Sequence, residues 1–185
     1  LAWFETCDFS KKDPAEILQS LTFNTHFYLH YLELDTTSAQ RRYARVIQDM
    51  ANSALLEGGP GAALQALTSY KLRVGFISGS LFRHTISKLF GAFITGLDPQ
   101  QFEVSCFHLS ETVDRVSHTL ADAVSRFESG GKSATQWVQT IREARQDVLI
   151  YLDIGMHPMV QVLSTQRLAE RQYMLWGHPV SSRLD

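Results

Sequence analysis

Hydrophobic positions follow two different rhythms along this chain, and the change comes near residue 70. Before it the pattern is helical. Asp13 followed by Pro14 is a helix start: an N-cap acceptor, then a residue whose fixed φ suits the first helical position. Ile17, Leu18, Leu21, Phe23, Phe27, Tyr28, Tyr31 and Leu32 return at roughly the spacing of one helix face, which predicts a helix through them. Thr37 or Ser38 opens a second helix. Its apolar side is Tyr43, Val46, Ile47, Met50 and Ala54, while Arg41, Arg42, Arg45 and Asp49 face water. Gly58-Gly59-Pro60-Gly61 ends it and is the clearest linker signal in the chain. Residues 1–60 thus read as a helical lead-in, compatible with the end of a helical-repeat array, although one pair shows no period.

After residue 70, short apolar runs alternate with helical stretches. Leu72 to Ser78, Phe102 to His108, Val124 to Glu128, Val148 to Leu152 and Gln172 to Trp176 read as five strands. Helices are expected from Thr85 to Leu97, from Glu111 to Ala123, from a Ser133 cap through Trp137, Ile141 and Ala144, and from Met159 to Leu168. Asp98-Pro99 breaks the first of these. Strands alternating with helices of this length predict an α/β domain over residues 71–185, a Rossmann-like parallel sheet covered by helices on both faces. Trp137 and Trp176 read as core anchors.

Composition narrows the function classes. With 185 residues there is room for one domain and an appendage. Apolar residues at 44% and charged ones at 19% support a packed core. A formal charge of −2 argues against a nucleic-acid clamp, and no apolar run approaches a membrane span. Two cysteines, Cys7 and Cys106, exclude a disulfide framework and a four-cysteine zinc site, so a reduced, cytoplasmic setting is expected. No signal-peptide pattern is visible. Leu rather than Met at position 1, and a last stretch that follows a strand and a turn, suggest a piece of a longer protein.

Ligands in open α/β sheets bind beyond the carboxyl ends of the strands. That rule selects three loops: Ser78 to His84, Asp153 to Pro158, and Gly177 to Ser182. Each holds a histidine and a glycine, so three of the seven histidines, His84, His157 and His178, are expected on one edge of the sheet. His84 stands at a helix start, where amide donors and the positive helix end keep an imidazole neutral. It can serve in catalysis or as a simple cap. Gly79 permits a close backbone approach, but G-x-G-x-x-G and the P-loop pattern are absent. Asp153 can orient a ligand hydroxyl or cap the following helix, Gly155 serves a turn, and His157-Pro158 can be no more than a helix start. Pro179 restricts the backbone of His178, and Ser181 and Ser182 can donate to a phosphate or a sugar hydroxyl. Elsewhere the signals are weak. His26 and His30 share a helix face among aromatic residues with no carboxylate or cysteine set, which favours packing over metal, and G-x-S-x-G is missing around Ser80.

The residues of these loops resemble a known family. Lys71 to Ser78 with His84 six residues later, Asp147 to Met156, and Gln172 to Ser182 with its Trp-Gly-His-Pro-Val-Ser-Ser core are similar, in order and spacing, to segments of the O-GlcNAc transferase-like glycosyltransferases, the middle one to their bacterial members. The resemblance covers residues 71–182. It implies one half of a GT-B architecture, with helical repeats of tetratricopeptide type before it and a C-terminal domain absent from this chain. It further implies inverting, metal-independent transfer of a sugar, GlcNAc or a hexose, from a UDP-sugar to a protein side chain or a glycan hydroxyl. No cofactor is implied beyond that donor substrate. His84 falls on the family's active-site histidine. Ser78, Gly79, Asp153, Gly155, His178, Pro179 and Ser181 fall in its substrate-binding loops. Departures are Thr85 where eukaryotic members often have Pro, Lys88 where they often have His, and Arg183 in place of a usual Gly. Such transfer needs an aligned acceptor and charge stabilisation at the departing diphosphate. The fragment alone is therefore expected to be inactive. The alternative is a non-catalytic α/β protein-interaction or ligand-binding module. A flavodoxin-like cofactor binder is a third possibility.

Overall fold

A computed structural model describes residues 13–22, 25, 27–55, 71–178 and 182. The Gly58 to Gly61 linker, Cys7, His26, Pro179 and Ser181 lie outside the described residues, as does the side chain of His30. The elements are α1 (Pro14–Leu21), a 3-10 segment (Phe27–Tyr31), α2 (Thr37–Leu55), β1 (Leu72–Ser78), α3 (Thr85–Thr95), β2 (Phe102–His108), α4 (Arg115–Ala123), β3 (Arg126–Ser129), α5 (Ala134–Glu143), β4 (Val148–Tyr151), α6 (Pro158–Ser164) and β5 (Arg171–Met174). The five strands form one sheet, every pair parallel, in the order β3-β2-β1-β4-β5. This is the expected Rossmann-like sheet, and its order reverses between β1 and β4.

Alternation along the strands divides the interior into two cores. Ile77, Phe107, Leu149 and Tyr151 point to one face, where they meet Trp137 and Ile141 of α5 and Val160 and Leu163 of α6. Leu18 of α1 and Ile47, Ala51 and Leu55 of α2 belong to that same core, and both lead-in helices pack against α6. Val74, Phe76, Val104 and Cys106 point the other way, toward Ile86, Phe90 and Ile94 of α3 and Leu120 of α4. At the amino edge of the sheet, Arg73 fastens β1 to the start of β4. Its Nη2 donates to Asp147 Oδ1 at 2.7 Å, its Nε to Oδ2 at 3.1 Å and its backbone N–H to Oδ2 at 2.8 Å. Burial alone would raise the Asp147 carboxyl, but the Arg73 hydrogen bonds outweigh it and hold the group below its usual range.

Local chemistry moves several expected boundaries. The single helix expected through Leu32 stops at Leu21. Thr22 closes it, its backbone N–H on Leu18 O at 3.0 Å and its hydroxyl donating to Gln19 O at 2.7 Å. Phe27–Tyr31 is a separate 3-10 turn that leaves Tyr28 and Tyr31 exposed. The helix expected from Glu111 begins at Arg115, because Asp114 is the N-cap and forms a capping box with Ser117. The helix expected to reach Leu168 ends at Ser164. Beyond it the Gln172 side chain accepts the N–H groups of Leu168 and Ala169 at 2.7 and 3.2 Å. Trp137 is buried as expected, but Trp176 is 72% exposed, with one edge on Phe90 at 5.4 Å. It follows the short edge strand β5, past the last paired residue. Among the described residues no helix is long and apolar enough to cross a membrane.

Candidate functional site

The strand order reverses where β1 and β4 end, and a buried polar junction sits there. Ser78 is the last residue of β1. Its hydroxyl donates to Asp153 Oδ2 at 2.9 Å and accepts the Ser80 N–H at 2.8 Å. The Gly79 N–H donates to the same carboxylate oxygen at 3.1 Å. Asp153 therefore neither caps α6 nor faces outward. It reaches sideways and fixes the loop after β1 to the turn after β4. It is fully buried, and its Oδ1 makes no hydrogen bond among the described residues. Burial pushes its carboxyl up to about 6, although the Ser78 hydroxyl, the Gly79 N–H and the Ser80 hydroxyl pull the other way.

The turn from Asp153 to His157 brings an imidazole back over the β1 loop. Gly155 takes φ +85°, a conformation L side chains rarely adopt. The Asp153 carbonyl accepts the Met156 N–H at 3.0 Å and the His157 N–H at 3.4 Å. His157 is the N-cap of α6, with Pro158 at the first helical position, but its side chain makes no capping bond. The ring lies against Gly79, where any Cβ would collide with it. Its Nδ1 is buried without a hydrogen bond among the described residues. Burial first, and the nearby His108 second, lower the basicity of His157.

His108 was not singled out from sequence. It ends β2, level with Ser78 in the parallel register, and is fully buried. Its Nδ1 accepts the Leu81 N–H at 3.3 Å, and its Nε2 lies 2.8 Å from Thr112 O, which fits only a donor there. The β1–α3 loop is held from α4 as well. Ser117 Oγ donates to Leu81 O at 2.8 Å, and Asp114 Oδ2 accepts the Arg83 N–H at 2.8 Å. Within the loop and α3, Ser87 Oγ donates to Ser80 O at 3.0 Å. The carboxyl-end rule that selects the loops after the first, fourth and fifth strands selects the end of the second strand too, and His108 was legible by it. Asp114 and Ser117 carry no such signal for their grip on this loop, since their partners there are backbone atoms 31 and 36 residues away.

His84 closes this loop as the N-cap of α3, its Nδ1 accepting the Ile86 N–H at 3.3 Å. It is partly exposed. The Phe82 ring lies between His84 at 5.7 Å and His108 at 5.9 Å. His84, His108 and His157 are thus all fixed on the loop joining β1 to α3. His178 differs from the expectation of an open rim. It is 3% exposed, its ring 4.5 Å from Phe27 at an interplanar angle of 31°. The lead-in also touches the β4 turn, where the Thr25 hydroxyl donates to Gly155 O at 2.5 Å. Phe27 and Thr25 could not be assigned to the site from periodicity, which records a face and not its partner.

No family model and no curated protein sequence matches this chain. Among solved structures it is similar to a point mutant of the Thermobaculum terrenum O-GlcNAc transferase, with a TM-score of 0.62 and 16% sequence identity. The likeness covers 92% of this chain and 31% of that one, so the chain spans about a third of the length of that structure and shares its fold there.

Proposed function

We propose that this chain forms one wall of the transfer cleft of a GT-B glycosyltransferase, one that moves a sugar, GlcNAc or a hexose, from a UDP-sugar to a protein side chain or glycan hydroxyl. The observation that carries the reading is the β1–α3 loop. It lies where the strand order reverses, is held by Asp153, His108, Asp114 and Ser117, and ends in a partly exposed His84. Loops fixed in this way hold a reacting group at one place before the substrate arrives. The fold likeness to a transferase structure supports the same reading.

In this reading Ser78, Gly79 and Asp153 are the frame, and His84 touches substrate. Inverting transfer places the acceptor hydroxyl behind the anomeric carbon as the nucleoside diphosphate departs. The charge on that diphosphate needs a cationic partner and helix amides, which we assign to a second lobe downstream of residue 185. The test is a transfer assay with UDP-GlcNAc and UDP-hexoses against peptide and glycan acceptors, run on the complete protein and on this chain alone. Transfer by the complete protein, lost on His84→Ala with donor binding retained, is the expected result. Turnover by residues 1–185 alone would refute the two-lobe assignment, and no transfer with any pair would refute the enzyme.

A further inference from the structure

His84 makes one hydrogen bond that determines what its other nitrogen can do. Its backbone is extended, with φ −140° and ψ 163°, and its Nδ1 accepts the Ile86 N–H at 3.3 Å as the cap of α3. A neutral imidazole carries a single proton. With the Nδ1 lone pair directed at Ile86, that proton resides on Nε2. Moving it to Nδ1 would set two N–H groups against each other and uncap the helix. The surrounding loop gives the ring little freedom to escape, since Leu81 and Arg83 on its approach are held by His108, Ser117 and Asp114.

We infer that His84 acts as a hydrogen-bond donor through Nε2–H to an oxygen of the bound substrate, and not as the base that removes the acceptor proton. The inference rests on the transferase reading for its substrate, but the ring's proton can be located without any substrate. A base needs a bare nitrogen facing the hydroxyl. Here the bare nitrogen faces the helix, and the nitrogen left for substrate carries hydrogen.

Two measurements test this. The first is nitrogen-15 NMR of the histidine rings in this chain, with His84→Asn used to assign the His84 signals. The neutral Nε2–H tautomer is expected for His84, and an Nδ1–H tautomer overturns the proposal. The second uses the complete protein in the transfer assay. Gln places an amide N–H near the position of Nε2 but cannot take a proton, whereas Asn keeps the cap and leaves the Nε2 position empty. His84→Gln is expected to stay within about tenfold of the parent turnover, and His84→Asn to lose on the order of a hundredfold, the usual consequence of deleting one preorganised donor. Equal collapse of both variants, with melting temperatures like the parent, overturns the donor role. Absence of transfer in the parent itself defeats the transferase reading, while the NMR result still decides the proton's position.

Discussion

Asp153 joins two strand ends by accepting from Ser78 and Gly79, and its burial opposes its charge. A carboxyl raised from 3.8 to about 6 costs the charged fold on the order of 3 kcal/mol. Between those values the folded chain holds more protons than the unfolded one, so this group makes stability fall as pH rises, and the penalty is complete above about 6. His157 acts in the opposite sense. Its folded basicity is lowered from 6.5, so its contribution is present at neutral pH and is lost on acidification below that value. Asp153→Asn removes the first effect and leaves the second. Its melting temperature should therefore drop more than the parent's between about pH 7 and about pH 5, as measured by circular dichroism. Gly79→Ala should displace the His157 ring and cost about 1–3 kcal/mol in a urea titration, the range for overpacking a tight contact. None of this coupling was legible in the sequence. Ser78, Gly79, Asp153 and His157 could each be placed beyond a strand end, but a carboxylate turning sideways to a neighbouring loop is a property of the pair.

At the scale of elements, the regular pieces were readable and their ends were not. Apolar runs locate the strands, because burial on both faces of a parallel sheet asks for them, and the Ser133 cap locates α5. Helix ends were missed where a side chain intervened, as with Thr22 and Asp114. Trp176 misled because size and apolarity say nothing about lying past the last pairing of an edge strand. The 3-10 segment was hidden inside a helical period, yet it carries Phe27 onto His178. Phe27→Ala should uncover that ring, and diethyl pyrocarbonate should then modify His178 faster than in the parent, followed by peptide mass mapping. At the opposite edge, Arg73→Ala deletes the two guanidinium bonds to a mostly buried carboxylate and keeps the backbone one. It should lower the unfolding free energy by about 1.5–3 kcal/mol, the usual range for a hydrogen bond to a charged group. Urea unfolding measures it, and the ring signals of His84 should stay in place.

Over the whole molecule, the parallel sheet with helices on both faces matched the alternating pattern, and the likeness to the transferase structure extends across the lead-in as well as the sheet. What the pattern could not show is how the two parts meet. The lead-in was expected as an appendage before a Gly-Pro linker, and a hydrophobic stripe names no partner. In the fold, Ile47, Ala51 and Leu55 lie in one core with Ile77, Phe107 and Leu149, and Gln166 Nε2, just past the end of α6, donates to Asn52 Oδ1 of α2 at 3.3 Å. A gene trimmed to start at Leu72, as a tidy α/β unit might tempt one to do, would bare the side of α6 that α1 and α2 cover and yield sticky, insoluble material. Any minimal version of this protein has to begin upstream of Thr37.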